Sequence, residues 1–115
     1  MSNKTKIGAK AERHAASYLI SRGYEIIANN YRYKRSEIDI IAEIGDIIVF
    51  VEVKSRSNRG FGNPEASVNE KKEQKVIEGA ENFIYERNWN GRIRFDIIAI
   101  DLKTDEITHF EDAFG

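Results

Sequence analysis

SEIDIIAEIGDIIVFVEVKSR, residues 36–56, is the most apolar stretch of a chain in which 32% of residues are charged. It divides at Gly45–Asp46 into two apolar runs. A two-residue turn there predicts an antiparallel hairpin. The turn sets the register: Ile44 faces Ile47, Asp39 faces Glu52, and Glu37 faces Lys54. Side chains alternate across a strand, so this register projects all four charges from one face. A Glu–Lys pair facing each other across strands is mildly favourable. Two opposed carboxylates, with Cβ atoms roughly 4.5–5.5 Å apart, are not. One of them stays protonated, or a divalent cation resolves the conflict. Hard oxygen ligands suit Mg²⁺ or Mn²⁺, and Lys54, two residues along, would act on a bound water or a phosphate. The plain alternative is a solvated strand face carrying an ordinary charge ladder.

The hairpin's surroundings give the fold class. Helical spacing from about Lys6 to Arg22 predicts a first helix ending at Gly23, with Gly8, Glu12, Ala15, Ala16 and Leu19 on its inner stripe. Residues Tyr24 to Tyr33 read as a strand bent at Asn29–Asn30. The two hairpin strands cover Glu37 to Glu43 and Ile47 to Ser55. The segment SNRGFGNPEAS, residues 57–67, holds the only proline and reads as a loop. A second helix begins between Ser67 and Asn69, where Ser67 and Glu70 have capping-box spacing, and ends near Arg87. Its apolar face is Val76, Ile77, Ala80, Phe83 and Ile84. A strand from Arg92 to Leu102 and a short edge strand, Ile107 to Glu111, complete the order. Strand–helix–strand from Val51 to Ile97 predicts a right-handed crossover between parallel strands. The expectation is an α/β domain, residues 1–115, with a mixed sheet flanked by helices. Glu12 then matters: a carboxylate in a stripe of small residues needs a partner. Packing of the first helix over the charged face would make it a third acidic ligand.

Composition sets outer limits. There are no cysteines, which excludes disulfides and thiolate metal sites and suits a reducing compartment. No apolar run reaches the roughly 20 residues of a membrane helix, and MSNKTKIGAKAERHAA lacks the apolar core of a secretory signal. A cytoplasmic protein is expected. Net charge is −1, but residues 1–75 carry 14 Lys+Arg against 10 Asp+Glu, while residues 76–115 carry 4 against 9. The basic clusters flank the carboxylate strands, which allows a face for a phosphate backbone. Arg35, Arg56, Arg59 and Lys72 are the residues expected to meet it. His14 and His109 read as surface histidines. Asp96 reads as a buried polar group or a ladder charge, and Trp89 as a contact beyond the second helix.

Glu12, SEIDII at 36–41 and VEVKSR at 51–56 together resemble the PD-(D/E)XK nuclease superfamily, whose core is that of restriction endonucleases. IGAKAERHAASYL, EIDII, FVEVKSR, a lysine near Lys72 and RFDIIAI at 94–100 resemble, over nearly the whole chain, the YraN-like family of small bacterial proteins. The EID…VEVK pair is also similar to archaeal Holliday-junction resolvases. The resemblance implies a restriction-endonuclease-like fold. It gives Asp39, Glu52 and Lys54 the catalytic positions and Glu12 the helix-borne acid. Ile38 stands where the superfamily name has Pro, and Ser36 where relatives often carry Gly.

Two functions follow. One is a metal-dependent endonuclease acting on DNA, including branched or structured DNA. Asp39 and Glu52 would hold Mg²⁺ or Mn²⁺, with the Val53 carbonyl and Glu12 as further ligands and Lys54 directing water. A homodimer would suit it, because two cuts need two sites. The other is a nucleic-acid-binding module on a nuclease fold, with little or no catalysis.

Overall fold

A computed structural model gives the fold and describes residues 6–56 and 70–115. Its elements are α1 (Lys6–Ser21), β1 (Glu25–Tyr33), β2 (Ser36–Ile44), β3 (Ile47–Arg56), α2 (Glu70–Arg87), β4 (Arg92–Asp101) and β5 (Ile107–Phe110). Each expected element is present, with ends within about two residues of those read from the sequence, the usual scatter of helix and strand ends. The loop at 57–67 and the Ser67 half of the capping pair lie outside the described residues. Among the described residues, no helix is long and apolar enough to cross a membrane.

The five strands lie side by side in chain order. The β1–β2 and β2–β3 pairs are antiparallel, β3 and β4 are parallel, and β5 returns antiparallel on β4. The chain between β3 and β4 includes α2, the long crossover that a parallel pair needs. The two helices cover opposite faces of the sheet. Ala11, Ala15 and Leu19 of α1 pack with Ile40, Ala42, Val49, Val51, Ile98 and Ile100. Val76, Ala80 and Phe83 of α2 pack with Ile38, Ile41, Ile48, Phe50 and Phe95. Strands buried on both faces need apolar side chains at every position. That is why IIVFV at 47–51 and IIAI at 97–100 read as unbroken runs. Each fully buried Ile or Phe contributes roughly 1.5–3 kcal/mol.

Alternation fails at two places: at an irregularity in β1 between Ile26 and Ala28, where the register with β2 shifts, and further along, at Asn30 and Asp39. Ala28 and Tyr31 of β1, and Ile38 and Ile41 of β2, all pack toward α2 although each pair is three residues apart. The register holds on both sides, with Asn29 opposite Ile40 and Tyr31 opposite Ile38. Between them Asn30 takes φ 54°, a left-handed conformation that Asn tolerates better than most residues. The two strands therefore change phase together, and Asp39 sits at the pivot. The bend expected at Asn29–Asn30 is this phase change.

A glycine sets the distance of α2 from the pivot. A Cβ on Gly79 would lie 3.2 Å from the Ser36 Cβ and 3.4 Å from the Ile38 Cδ1. Without it the helix seats on β2, and Lys72 and Val76, seven and three residues earlier, reach over the end of the β2–β3 ladder.

Candidate functional site

The ladder between β2 and β3 follows the register of the Gly45–Asp46 turn from Ile44–Ile47 to Ile40–Val51 and stops there. The expected next pair, Asp39 with Glu52, is replaced by another arrangement. The Val53 backbone N–H donates to Asp39 Oδ2 at 2.8 Å. A side-chain oxygen thus stands where a strand carbonyl would, and the strands part beyond it. Glu52, pointing to the α2 side with Ile48 and Phe50, is 4% exposed, and Asp39 is 6% exposed.

Glu52 is only half satisfied. Its Oε2 accepts from Lys72 Nζ at 2.5 Å. Its Oε1 is buried with no hydrogen-bond partner among the described residues. A bare carboxylate oxygen in the interior is costly. Burial, and then the charge of Asp39, push the Glu52 carboxyl above its ordinary range, against the pull of Lys72 and Lys54. Burial and the neighbouring Lys72 ammonium lower Lys54. Lys72 is raised: its burial acts downward, but the Glu52 carboxylate and then Lys54 outweigh it. Two carboxylates and two lysines thus form one electrostatic unit.

The unit opens into a cavity of about 570 Å³. Glu37, Asp39, Glu52 and Val53 form its acidic floor, and Arg35, Lys71, Lys72 and Lys75 its basic wall. The two buried acids are the residues that could hold a hard divalent ion, which takes one or two protein carboxylates and fills its remaining positions with water or phosphate oxygens. Glu52 Oε1 would be available to it, and the four cations suit an anion such as phosphate rather than the ion.

The other sequence-derived residues fall in different places. Glu37 does not pair with Lys54. It meets its β1 neighbour Arg32 at 3.6 Å, because the β2–β3 ladder has already ended. α1 packs on the face opposite α2, and Glu12 lies there, with the Asn30 amide between it and Glu37. Glu12 lines a separate cavity with Asn29 and Asn30. With the Asn30 amide oriented to suit its neighbours, its nitrogen donates to Glu12 Oε1 at 3.2 Å and Glu37 Oε2 at 3.3 Å. Among the described residues no group of three or more acids or histidines is arranged to hold a metal ion; Asp39 and Glu52 form a set of two. Arg35 is on the cavity wall. Arg56 ends β3, where its carbonyl accepts from the Leu102 N–H. Arg59 lies outside the described residues.

A second buried charge cluster was read only in part: Asp96 was expected as a buried polar group or a ladder charge, and its partners were not. Asp96 is fully buried. Arg94 binds both of its oxygens, at 2.9 and 2.8 Å, and the Asp112 N–H donates to Oδ1 at 3.0 Å. His109 Nε2 lies 2.7 Å from Oδ2, and its Nδ1 lies 3.1 Å from the Tyr18 hydroxyl. His109 is therefore no surface histidine; its side chain is 8% exposed. The available signal was alternation in ITHF, which puts His109 on the same face as Ile107. His14 is half-buried, its Nε2 3.0 Å from the Asp105 carbonyl oxygen.

Residues 11–100 match the family described as Uncharacterised protein family UPF0102. The chain belongs to this family. A UPF0102 protein of Clostridioides difficile (strain 630) is 49% identical over 99% of this chain and 100% of its own length. One from Sulfurihydrogenibium sp. (strain YO3AOP1) is 47% identical, covering 98% of this chain and 97% of its own length. UPF0102 is the YraN-like family that the opening helix, EIDII and FVEVKSR resemble. Among solved structures, Pyrococcus furiosus SfsA in complex with Ca²⁺ is similar at 16% identity and a TM-score of 0.39, covering 91% of this chain and 64% of its own. That likeness is too slight to carry an argument.

Proposed function

We propose that this UPF0102 protein is a Mg²⁺- or Mn²⁺-dependent phosphodiesterase of the restriction-endonuclease-like, PD-(D/E)XK type, acting on DNA. The observation that carries the reading is the buried Glu52, with Oε1 unpartnered beside Asp39, at the floor of a cavity walled by basic side chains. A fold does not maintain an unsatisfied buried carboxylate beside a second one for stability, since the arrangement opposes folding.

Asp39 and Glu52 would hold the cation. Bound there, it supplies Lewis acidity toward a phosphoryl oxygen and makes its water a better nucleophile. Lys54, lowered by burial and by Lys72, holds or passes a proton at Nζ beside the attacking water more readily than an ordinary lysine. Arg35, Lys71 and Lys75 meet the flanking phosphates. Val53 presents its backbone at the floor while fixing Asp39 through its N–H. Branched or structured DNA is the preferred substrate on the resemblance to junction resolvases, and a homodimer would supply paired cuts.

The test is cleavage of duplex, single-stranded, flap and four-way-junction DNA with Mg²⁺ or Mn²⁺, alongside thermal unfolding with the metal alone. The expected result is metal-dependent cleavage and a Mn²⁺-dependent rise in Tm. A wild-type protein that neither binds Mn²⁺ nor is stabilised by it would sink the reading. One observation favours the second reading, a nucleic-acid-binding module without catalysis: Lys72 already neutralises one oxygen of Glu52. DNA binding with no response to Mn²⁺ would decide for that module.

A further inference from the structure

Resting on that metal site, we infer that Lys72 is a resident counterion, displaced from Glu52 when the divalent cation binds and released into the cavity that receives the phosphate. The geometry places the two cations in competition for one carboxylate. Lys72 Nζ occupies Glu52 Oε2 at 2.5 Å, and a divalent ion on Oε1 would stand one carboxylate's width from that ammonium, where like charges repel. Lys72 is built to leave. It projects from the first turn of α2, its side chain is 40% exposed where that of Glu52 is 4%, and it lines the cavity with Arg35, Lys71 and Lys75. A lysine stem is flexible enough to move its head from the floor to the wall without moving the helix.

Charge counting gives the consequence. Formally, Asp39, Glu52, Lys54 and Lys72 sum to zero. A divalent cation in their midst leaves the group at +2, and a phosphodiester arriving in the cavity lowers that surplus. The exchange therefore lets an empty site fold without a metal and makes metal binding prepare the site for its anionic substrate. Lys72 would be a positioning residue whose partner changes from carboxylate to phosphate. A competing tethered group weakens apparent metal affinity by the fraction of time the site is not occupied by it.

Mn²⁺ affinity by calorimetry on wild type, Lys72→Met and Lys71→Met tests the exchange. Lys71 lines the same cavity and controls for loss of one positive charge. The expected result is Mn²⁺ bound about tenfold more tightly by Lys72→Met than by wild type, an ordinary size for coupling between ligands, with Lys71→Met much closer to wild type. Wild-type protein alone gives a second measurement, should Lys72→Met fail to fold: the acetylation rate of Lys72, read by peptide mass spectrometry, should rise when Mn²⁺ is added. Equal affinities for the two variants, or a Lys72 labelling rate unmoved by bound Mn²⁺, would overturn the exchange and leave the metal site standing. Absence of Mn²⁺ binding in both wild type and Lys72→Met would overturn the exchange and the metal site together.

Discussion

Asp96 and Glu52 sit on adjacent parallel strands, one register position apart, with Asp96 beside Val51 and Glu52 beside Ile97. Both are buried acids in a two-sided sheet. Asp96 is surrounded by donors: Arg94 at two points, the Asp112 N–H and His109. Burial alone would raise it, but His109, Arg94 and Asp112 together hold its carboxyl below the ordinary range. Glu52 has one lysine and one bare oxygen, and burial with Asp39 holds it above that range. The same side-chain chemistry at the same depth has opposite electrostatics. The difference separates a charge that the fold uses from a charge that it tolerates. A completed shell of donors ties β4 to the C-terminal segment and, through His109, to Tyr18 of α1. An incomplete shell, opening on a basic cavity, leaves coordination capacity for something that arrives later.

The contrast would break most visibly in catalysis. Asp39→Asn or Glu52→Gln should lower metal-dependent DNA cleavage by about a hundredfold or more, given the several kcal/mol a metal site supplies, while Asp96→Asn protein that remains folded should keep its rate per molecule. Comparable losses in all three variants would mean that the two clusters do not differ in kind. In stability the order inverts. Asp96→Asn leaves Arg94 with the Tyr24 hydroxyl and Glu111 at 3.8 Å and should cost about 1.5–3 kcal/mol in urea unfolding, the size of charge-assisted hydrogen bonds.

The pH dependence of unfolding sharpens the comparison, because the two acids act in opposite senses. Asp96 has a depressed pKa, so its stabilisation is present above the ordinary carboxylate value of about 4 and is lost as pH falls through its own lower value. Glu52 has a raised pKa, so its contribution is fully present below that ordinary value and is lost as pH rises through its own. Asp96→Asn should flatten the acid limb of the stability curve. Glu52→Gln should remove a decline on the way to neutral pH, and unchanged curves in both variants would remove the electrostatic distinction. The smallest effect is the apo stability of Glu52→Gln near pH 7. It should match wild type or exceed it by up to about 1 kcal/mol, since the amide needs no counterion. A loss of about 2 kcal/mol or more would show that Glu52 belongs with Asp96.

Much of this was legible in the sequence, for identifiable reasons. Gly45–Asp46 fixed the hairpin, and the β2–β3 ladder follows it from Ile44–Ile47 to Ile40–Val51. The long segment after β3 implied a crossover, and the parallel β3–β4 pair is there. The same turn predicted Asp39 directly opposite Glu52; the ladder ends one pair short of that, and the two acids instead line one cavity. What the pattern could not carry was the phase change at Asn30 and Asp39, which requires knowing that a side chain has taken a ladder position. Strict alternation therefore assigned Glu37 to Lys54 and left the side covered by α1 open, and with it the reach of Glu12. Lys72 was expected at the phosphate face; its contact with Glu52 went unread, although it lies four residues before Val76 on the buried stripe. His109 was obscure because a four-residue edge strand, ITHF, gives alternation too few turns to show itself.

The Asp39 carboxylate that receives the Val53 N–H has a consequence for how this protein can drift. A lineage released from any chemical duty is at liberty to rewrite position 52, where many polar side chains would relieve a burden. Position 39 is not so released, because the backbone donor of Val53 would be left wanting. In a saturation library sorted for folding alone, position 39 should retain oxygen-bearing short side chains, Asp or Asn before Ala, while position 52 diversifies. Inactive descendants of this fold would then carry a recognisable scar: an acceptor kept at the first acidic position and the second acid gone.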